Sequence, residues 1–68
     1  METTSELLFR ERLIRIPAVE DLTGFKKSYI YQRIKKSTFP KPLRIGTRAV
    51  AWRMGDILDW LDSLSPVN

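Results

Sequence analysis

The chain contains no cysteine and no histidine, and at 68 residues it is short enough for this absence to restrict how it can fold. Domains of this size bury only roughly 60% of the surface that the unfolded chain exposes, so many of them depend on disulfides or bound metals. Without these two residue types, disulfides and most zinc sites are excluded. We therefore expect one domain stabilised by a single apolar core, with no cofactor and no metal.

Charge is segregated along the sequence. The segment 26–53, which we call the basic block, has a charge of +9 and contains no acidic residue: its cations are Lys26, Lys27, Arg33, Lys35, Lys36, Lys41, Arg44, Arg48 and Arg53. The flanking segments 1–25 and 54–68 carry −2 and −3, which leaves the net charge of +4. Positive charge concentrated in this way is typical of a protein that binds a polyanion.

Two short helices are predicted on either side of Gly24. Pro17 suits the first turn of a helix and Gly24 suits its end, so the first helix should cover about residues 17–23. Glu20 and Asp21 would then lie in its first turns and complement its dipole. The second helix, at about residues 26–36, has an apolar face made of Ile30, Tyr31 and Ile34. This arrangement is typical of a helix-turn-helix motif, whose second helix enters the major groove of DNA.

A β-hairpin is predicted after the second helix. Pro40 and Pro42 prevent the helix from continuing, and residues 43–45 and 49–53 alternate around a short loop that contains Gly46. The tip and the outer face of this hairpin are basic. A two-stranded hairpin beside a helix-turn-helix motif resembles a wing, which lies on the DNA backbone or reaches into the minor groove.

The last helix shows the clearest periodicity, with apolar side chains at i, i+3, i+4 and i+7: Ile57, Trp60, Leu61 and Leu64. Asp56 lies near its start and Pro66 ends it. We expect this helix to close a core with Trp52, Trp60, Phe39 and Ile34, and its acidic face to point away from nucleic acid. The predicted fold is therefore mainly α with a small β-hairpin, a winged helix-turn-helix.

The first eleven residues allow two interpretations. Thr3 and Glu6 have the spacing of a capping box, which would support a short helix over residues 5–11. Chain ends often fray, and we favour a loose tail here. The winged helix-turn-helix domain would then cover residues 12–65, with residues 66–68 as a second tail.

Six segments are informative together: RLIRIP at 12–17, LTG at 22–24, the spaced set Ser28, Ile30, Tyr31, Ile34 and Lys35, FPKP at 39–42, Gly46 followed by RAVAWR at 48–53, and WL at 60–61. In combination they resemble the AlpA-type phage and prophage regulators. The resemblance implies a small winged-helix protein, related in fold to excisionases and to the MerR group, that regulates transcription of prophage genes or acts as an excisionase. Many relatives carry Ser where this chain has Lys26, so we expect Ser28 to cap the second helix instead.

The candidate DNA contacts divide between the second helix and the wing. On the helix they are Lys26, Lys27, Ser28, Tyr29, Gln32, Lys35 and Lys36, and on the wing they are Arg44, Thr47 and Arg48. We expect sequence to be read mainly by Ser28, Tyr29 and Gln32, with Gln32 as the best candidate, because glutamine can pair with adenine through two hydrogen bonds. Lys26 and Lys27 oppose the helix dipole, which a phosphate bound at this helix terminus would explain. Arg53 is expected to cover the ring of Trp52.

Three functions follow from these patterns. We expect a sequence-specific regulator of phage or prophage transcription that binds double-stranded DNA and is not an enzyme. One alternative is an excisionase that bends attachment-site DNA and recruits an integrase. The other is a protein-interaction module that uses the acidic last helix and the apolar residues 7–9.

A homodimer or cooperative assembly on DNA is expected because one short helix and one wing bury little surface. No apolar run reaches the ~18 residues of a membrane span, so the expected location is the cytoplasm, on the nucleoid.

Overall fold

The computed structural model describes residues 3–67. It contains four helices and three short strands, in the order α1 (Thr4–Glu11), β1 (Leu13–Ile14), α2 (Ile16–Thr23), α3 (Lys27–Lys35), β2 (Leu43–Arg44), β3 (Val50–Arg53) and α4 (Met54–Asp62). The strands form one antiparallel sheet in the order β1-β3-β2. The predicted fold class, mainly α with a small β-hairpin in a winged helix-turn-helix, is confirmed. Within residues 3–67 no helix is long and apolar enough to cross a membrane.

Proline and glycine set the limits of α2, as the sequence predicts. Pro17 lies in the first turn, and Gly24 follows the last residue with φ of 78°, a left-handed conformation that glycine adopts without steric penalty. The Gly24 N–H donates to the Glu20 carbonyl at 2.7 Å and closes the helix. The chain therefore turns at once into α3, which completes the helix-turn-helix.

The start of α3 differs from the expectation, because the cap comes from another helix. Lys26 is the N-cap residue but makes no cap hydrogen bond through its side chain. The Lys27 N–H instead donates to the Glu20 carboxylate at 2.9 Å. The prediction that Ser28 caps α3 is therefore wrong, and the helix begins before it. Glu20 also lies beyond the first turn of α2, so its charge acts on the N-terminus of α3 rather than on its own helix.

A third strand extends the predicted hairpin. The extended segment before α2 forms β1, where Leu13 pairs with Arg53 and Ile14 pairs with Trp52. Just beyond this ladder, the Met54 N–H donates to the Arg12 carbonyl at 2.8 Å. That bond satisfies one free N–H at the start of α4, which has no side-chain cap. The β2–β3 hairpin, which forms the wing, is therefore hydrogen-bonded through β3 to β1, the strand that precedes α2.

Among residues 3–67 the core consists of seven buried apolar residues: Ile14, Val19, Ile30, Phe39, Ala51, Trp52 and Ile57. Trp52 is 1% exposed, its ring contacts Tyr31 with a centroid distance of 6.4 Å, and its indole N–H donates to the Pro40 carbonyl at 2.9 Å. Trp60 and Ile34 were predicted in the core but lie partly buried at its edge. The core therefore joins the sheet, α2, α3 and α4 in one unit.

The ends of the chain correct two expectations. Residues 4–11 form a helix instead of the loose tail that we favoured, and Thr3 and Glu6 make both hydrogen bonds of the capping box. The Arg10 guanidinium fastens α1 to α4 by donating to Asp59 at 2.6 Å and to the Gly55 carbonyl at 3.3 Å. At the other end α4 stops at Asp62, so Leu64 lies outside the helix and is half exposed.

The cap from Glu20 can be tested by substitution. We expect Glu20→Ala to lower the free energy of unfolding by about 1 kcal/mol, the usual contribution of a side-chain cap, because the Lys27 N–H loses its acceptor. Glu20→Gln should lose less, since its amide oxygen can still accept this bond. Urea denaturation at neutral pH measures both, with Asp21→Ala, at the exposed neighbouring position, as the matched control. Equal stabilities for Glu20→Ala and Asp21→Ala would show that α3 does not depend on this cap.

Candidate nucleic-acid interface

One face of α3 is free of core contacts. Ile30 is fully buried and Ile34 is partly buried, which fixes the side of the helix that faces the core. At about 100° per residue, the opposite face and its flanks carry the candidate contacts that the sequence predicts. These side chains are exposed: Ser28, Tyr29, Gln32, Lys35 and Lys36. The helix therefore presents hydroxyl, amide and ammonium groups to solvent.

The N-terminal end of this helix adds two cations but little free backbone. Lys26 and Lys27 are both exposed. The Lys27 N–H already donates to Glu20, so a carboxylate of the chain itself occupies part of the position that we expected a phosphate to take. Contacts with an anion at this end would therefore come from the ammonium groups rather than from the helix terminus.

The hairpin tip forms the second exposed basic surface. The segment between β2 and β3 is closed by the Ala49 carbonyl, which accepts from the N–H groups of Ile45 and Gly46 at 2.9 and 3.2 Å. The Arg44 guanidinium reaches across this loop and donates to the Thr47 carbonyl at 3.0 Å. Arg44, Thr47 and Arg48 are all exposed. This hydrogen bond restricts Arg44, so its charge is held at the tip.

In the part of the chain that the structure describes, the predicted contact cations form no ion pair with a carboxylate. Within residues 3–67 the ion pairs are Arg10–Asp59 and Arg53–Glu11. The prediction that Arg53 covers Trp52 is wrong, since its guanidinium lies 3.2 Å from the Glu11 carboxylate at the base of the hairpin. Six cations on α3 and the tip are exposed without such a pair: Lys26, Lys27, Lys35, Lys36, Arg44 and Arg48. The favourable Coulomb energy of these charges is thus available to an anion.

An arginine that sequence reasoning left out of the site lies beside the α3 face. The guanidinium carbon of Arg33 lies 5.6 to 5.9 Å from the ring centroids of Phe25, Tyr29 and Trp60, and we call these four residues the Arg33 cluster. Its terminal nitrogen donates to the Tyr29 hydroxyl at 3.0 Å, and the Phe25 and Tyr29 rings meet edge to face at 4.8 Å. The spacing of Tyr29 and Arg33, four residues apart, could have indicated their contact.

Burial of the Arg33 side chain in this cluster has an unfavourable free-energy contribution. Its Nε atom is buried and makes no hydrogen bond within the part of the chain that the structure describes. An unpaired buried N–H typically costs about 1–3 kcal/mol, and cation–π contacts of about 0.5–2 kcal/mol each with three rings can offset this. Trp60 is anchored in turn by its indole N–H, which donates to the Thr38 carbonyl at 3.0 Å. Arg33 is thus held by packing, unlike the solvated lysines near it.

Comparisons with known proteins identify two relatives of this chain in sequence. The chain is 36% identical over 52 residues to the uncharacterized protein ORF88 of Enterobacteria phage P4, an alignment that covers 76% of this chain and 59% of that protein. It is 34% identical over 56 residues to the DNA-binding transcriptional activator AlpA of Escherichia coli strain K12, covering 74% of this chain and 80% of that protein. No solved structure gives a significant match.

The alignment with the phage P4 protein spans less than two thirds of that protein's length. At the level of the family, residues 12–64 match the family described as prophage CP4-57 regulatory protein (AlpA), and these residues include α2, α3, the whole sheet and α4. With this match and the identity to a curated member, the chain belongs to the AlpA family of prophage regulatory proteins.

Proposed function

We propose that this chain is a double-stranded DNA-binding regulator of prophage gene transcription, with α3 in the major groove and the β2–β3 hairpin on the backbone or in the minor groove. The observation that carries the proposal is a set of six exposed cations on α3 and the hairpin tip, none of which forms an ion pair within residues 3–67. The name of the Escherichia coli relative, a DNA-binding transcriptional activator, supports it. We propose no enzymatic activity.

The arrangement of the lysines on α3 fits this role. Lys26 and Lys27 lie at its N-terminal end, and Lys35 and Lys36 lie at its C-terminal end. At 1.5 Å per residue the two pairs are about 12 Å apart, which is comparable to the width of the major groove, about 12 Å. Both pairs can therefore reach phosphates that border the groove, while the residues between them face the base edges. Such phosphate contacts fix register and orientation without reading sequence.

Sequence is proposed to be read by the side chains between the lysine pairs, chiefly Gln32, with Ser28 and Tyr29 beside it. Gln32 is exposed near the middle of α3 and opposite the core. Its amide can donate to and accept from one adenine edge at the same time, a pairing that distinguishes adenine from the other bases. Discrimination by this residue would then be added to the uniform electrostatic attraction.

The first prediction for this function concerns salt. Five or six phosphate contacts should make log affinity for a random-sequence duplex fall with log salt concentration with a slope of about −5, because each contact releases about 0.9 counterion. Fluorescence anisotropy with a labelled duplex between 50 and 200 mM salt measures the slope. Absence of binding at the lowest salt concentration would contradict the proposal.

A matched pair of arginines provides the control for the salt experiment. Arg48 lies at the exposed hairpin tip, whereas Arg53 lies at the base of the same hairpin and pairs with Glu11. We expect Arg48→Met to reduce the magnitude of the slope by about 0.9 and Arg53→Met to leave it unchanged. Equal effects of the two substitutions would show that the tip is not a specific contact surface.

Substitution of Gln32 tests sequence reading. On sites selected by the wild-type chain from a randomised duplex library, Gln32→Ala should remove preference at one position and weaken binding by about 1–3 kcal/mol. Its salt slope should stay at the wild-type value, because no charge is lost. A uniform loss across all sequences would instead assign Gln32 to the backbone contacts.

The size of the interface leads to a proposal about assembly. One nine-residue helix and one short hairpin present a small surface, at the low end for specific DNA-binding modules. We expect specific sites to be bound by two or more copies acting cooperatively. Analytical ultracentrifugation on a duplex with two adjacent selected sites should show the doubly bound species in excess of the statistical amount. Strictly independent occupancy would rule out cooperativity.

A further inference from the structure

Arg33 is unlike the other α3 cations in its surroundings. The flanking lysines, Lys35 and Lys36, are exposed, whereas Arg33 is partly buried and surrounded by three aromatic rings. Its Nε atom is buried without a hydrogen-bond partner within residues 3–67, so the aromatic ring contacts and the bond to Tyr29 fix where the guanidinium lies. A side chain held in this way is poorly placed to follow a phosphate, but it is well placed to orient a neighbour.

That neighbour is Tyr29. Its hydroxyl oxygen accepts from the Arg33 guanidinium at 3.0 Å, and its ring packs edge to face against Phe25. The side chain as a whole is nevertheless 42% exposed and lies on the same face of α3 as Gln32. Two contacts therefore fix the ring and the oxygen of Tyr29 before any ligand binds.

The hydrogen bond also decides the polarity that Tyr29 presents. A phenol has one donor proton and two acceptor lone pairs, and Arg33 occupies one lone pair. Because the N–H proton and the phenol proton repel each other, the phenol proton points away from the guanidinium. The hydrogen bond from the charged guanidinium also polarises the O–H bond, because successive hydrogen bonds in a chain strengthen one another. Tyr29 thus offers solvent a fixed and strengthened donor.

We infer that Arg33 is a positioning residue, which holds the Tyr29 hydroxyl as a hydrogen-bond donor to an acceptor atom on DNA and does not itself neutralise a phosphate. The acceptor is a phosphate oxygen or an oxygen or nitrogen on a base edge, since each accepts the same proton. This inference rests on the proposed function of α3. It assigns to one cation of the basic block a role that its charge alone does not suggest.

The test is a double-mutant cycle of Tyr29→Phe and Arg33→Met, read as affinity and as salt slope. Phenylalanine keeps the ring and removes the hydroxyl, and methionine keeps length and aromatic contact while it removes the charge and the donor. We expect each single variant to bind a selected duplex about tenfold more weakly, and the double variant also about tenfold rather than a hundredfold. The slope should stay close to the wild-type value in all three, with Arg48→Met as the reference for loss of one phosphate contact.

Three results would overturn the inference. A slope for Arg33→Met that falls by about as much as that of Arg48→Met would make Arg33 a phosphate contact. Multiplicative losses in the double variant would show that Arg33 acts independently of the hydroxyl, as in a merely structural role. Full affinity of Tyr29→Phe would show that DNA takes no hydrogen bond from this residue. Circular dichroism spectra and melting curves of each variant ensure that affinity is compared between folded chains.

Two further readouts separate the possible sources of failure. If Tyr29 donates to a phosphate, Tyr29→Phe should lower the affinity for all duplexes equally. If it donates to a base, the same substitution should remove sequence preference at one position of the site. Either result supports the inference. An Arg33 Hε resonance protected from solvent exchange in the DNA-free chain tests the cluster independently of DNA, and its absence would contradict the geometry. Failure of the wild-type chain to bind any duplex would instead overturn the proposed function itself.

Discussion

The packing of Trp52 in the core is the interaction on which the rest of the structure depends. Its backbone pairs with Ile14 in β1, its ring contacts Tyr31 of α3, and its indole N–H donates to the Pro40 carbonyl on the path from α3 to the hairpin. One residue therefore fixes the hairpin relative to α3, the helix that carries the exposed candidate contacts. A chain of this size has little other apolar surface with which to do so, and loss of a buried aromatic typically costs about 3–5 kcal/mol. The relative placement of the two proposed DNA-contacting elements thus follows from core packing rather than from the charges themselves.

The distribution of ion pairs preserves the basic surface. Both ion pairs within residues 3–67 involve α1, which places Arg10 against Asp59 and Glu11 against Arg53. Asp59 and Glu11, one from each acidic flank of the sequence, therefore pair at the contact between α1 and α4 and at the base of the hairpin, respectively. Exposed pairs of this kind contribute little stability, about 0–1 kcal/mol each. Their more important effect is on position, since Glu11 and Asp59 pair with arginines outside α3 and the hairpin tip, so neither of these two carboxylates neutralises a candidate contact.

Local rules anticipated much of the fold and failed in identifiable places. Pro17 and Gly24 predicted the limits of α2 to within one residue, because they act on the backbone where they stand. The helical period also predicted which side chains of α3 are exposed, because the apolar residues fix the side of the helix that faces the core. The helix at residues 4–11 was underestimated because its anchor is Arg10 on Asp59, 49 positions away, and no local pattern contains that contact. For the same reason Arg53 was paired with the wrong neighbour, since Glu11 approaches it only when β1 joins β3.

The sequence by itself determined the segregation of charge, the short helices on either side of Gly24 and the hairpin, since composition, helical period and turn residues are properties of neighbours in the chain. It also carried enough of a family pattern to indicate an AlpA-type regulator. Only the tertiary structure decided that Glu20 caps α3 from another helix, and that Trp60 completes the aromatic enclosure of Arg33. These choices depend on the directions of side chains from separate elements, which packing sets once the core around Trp52 has formed.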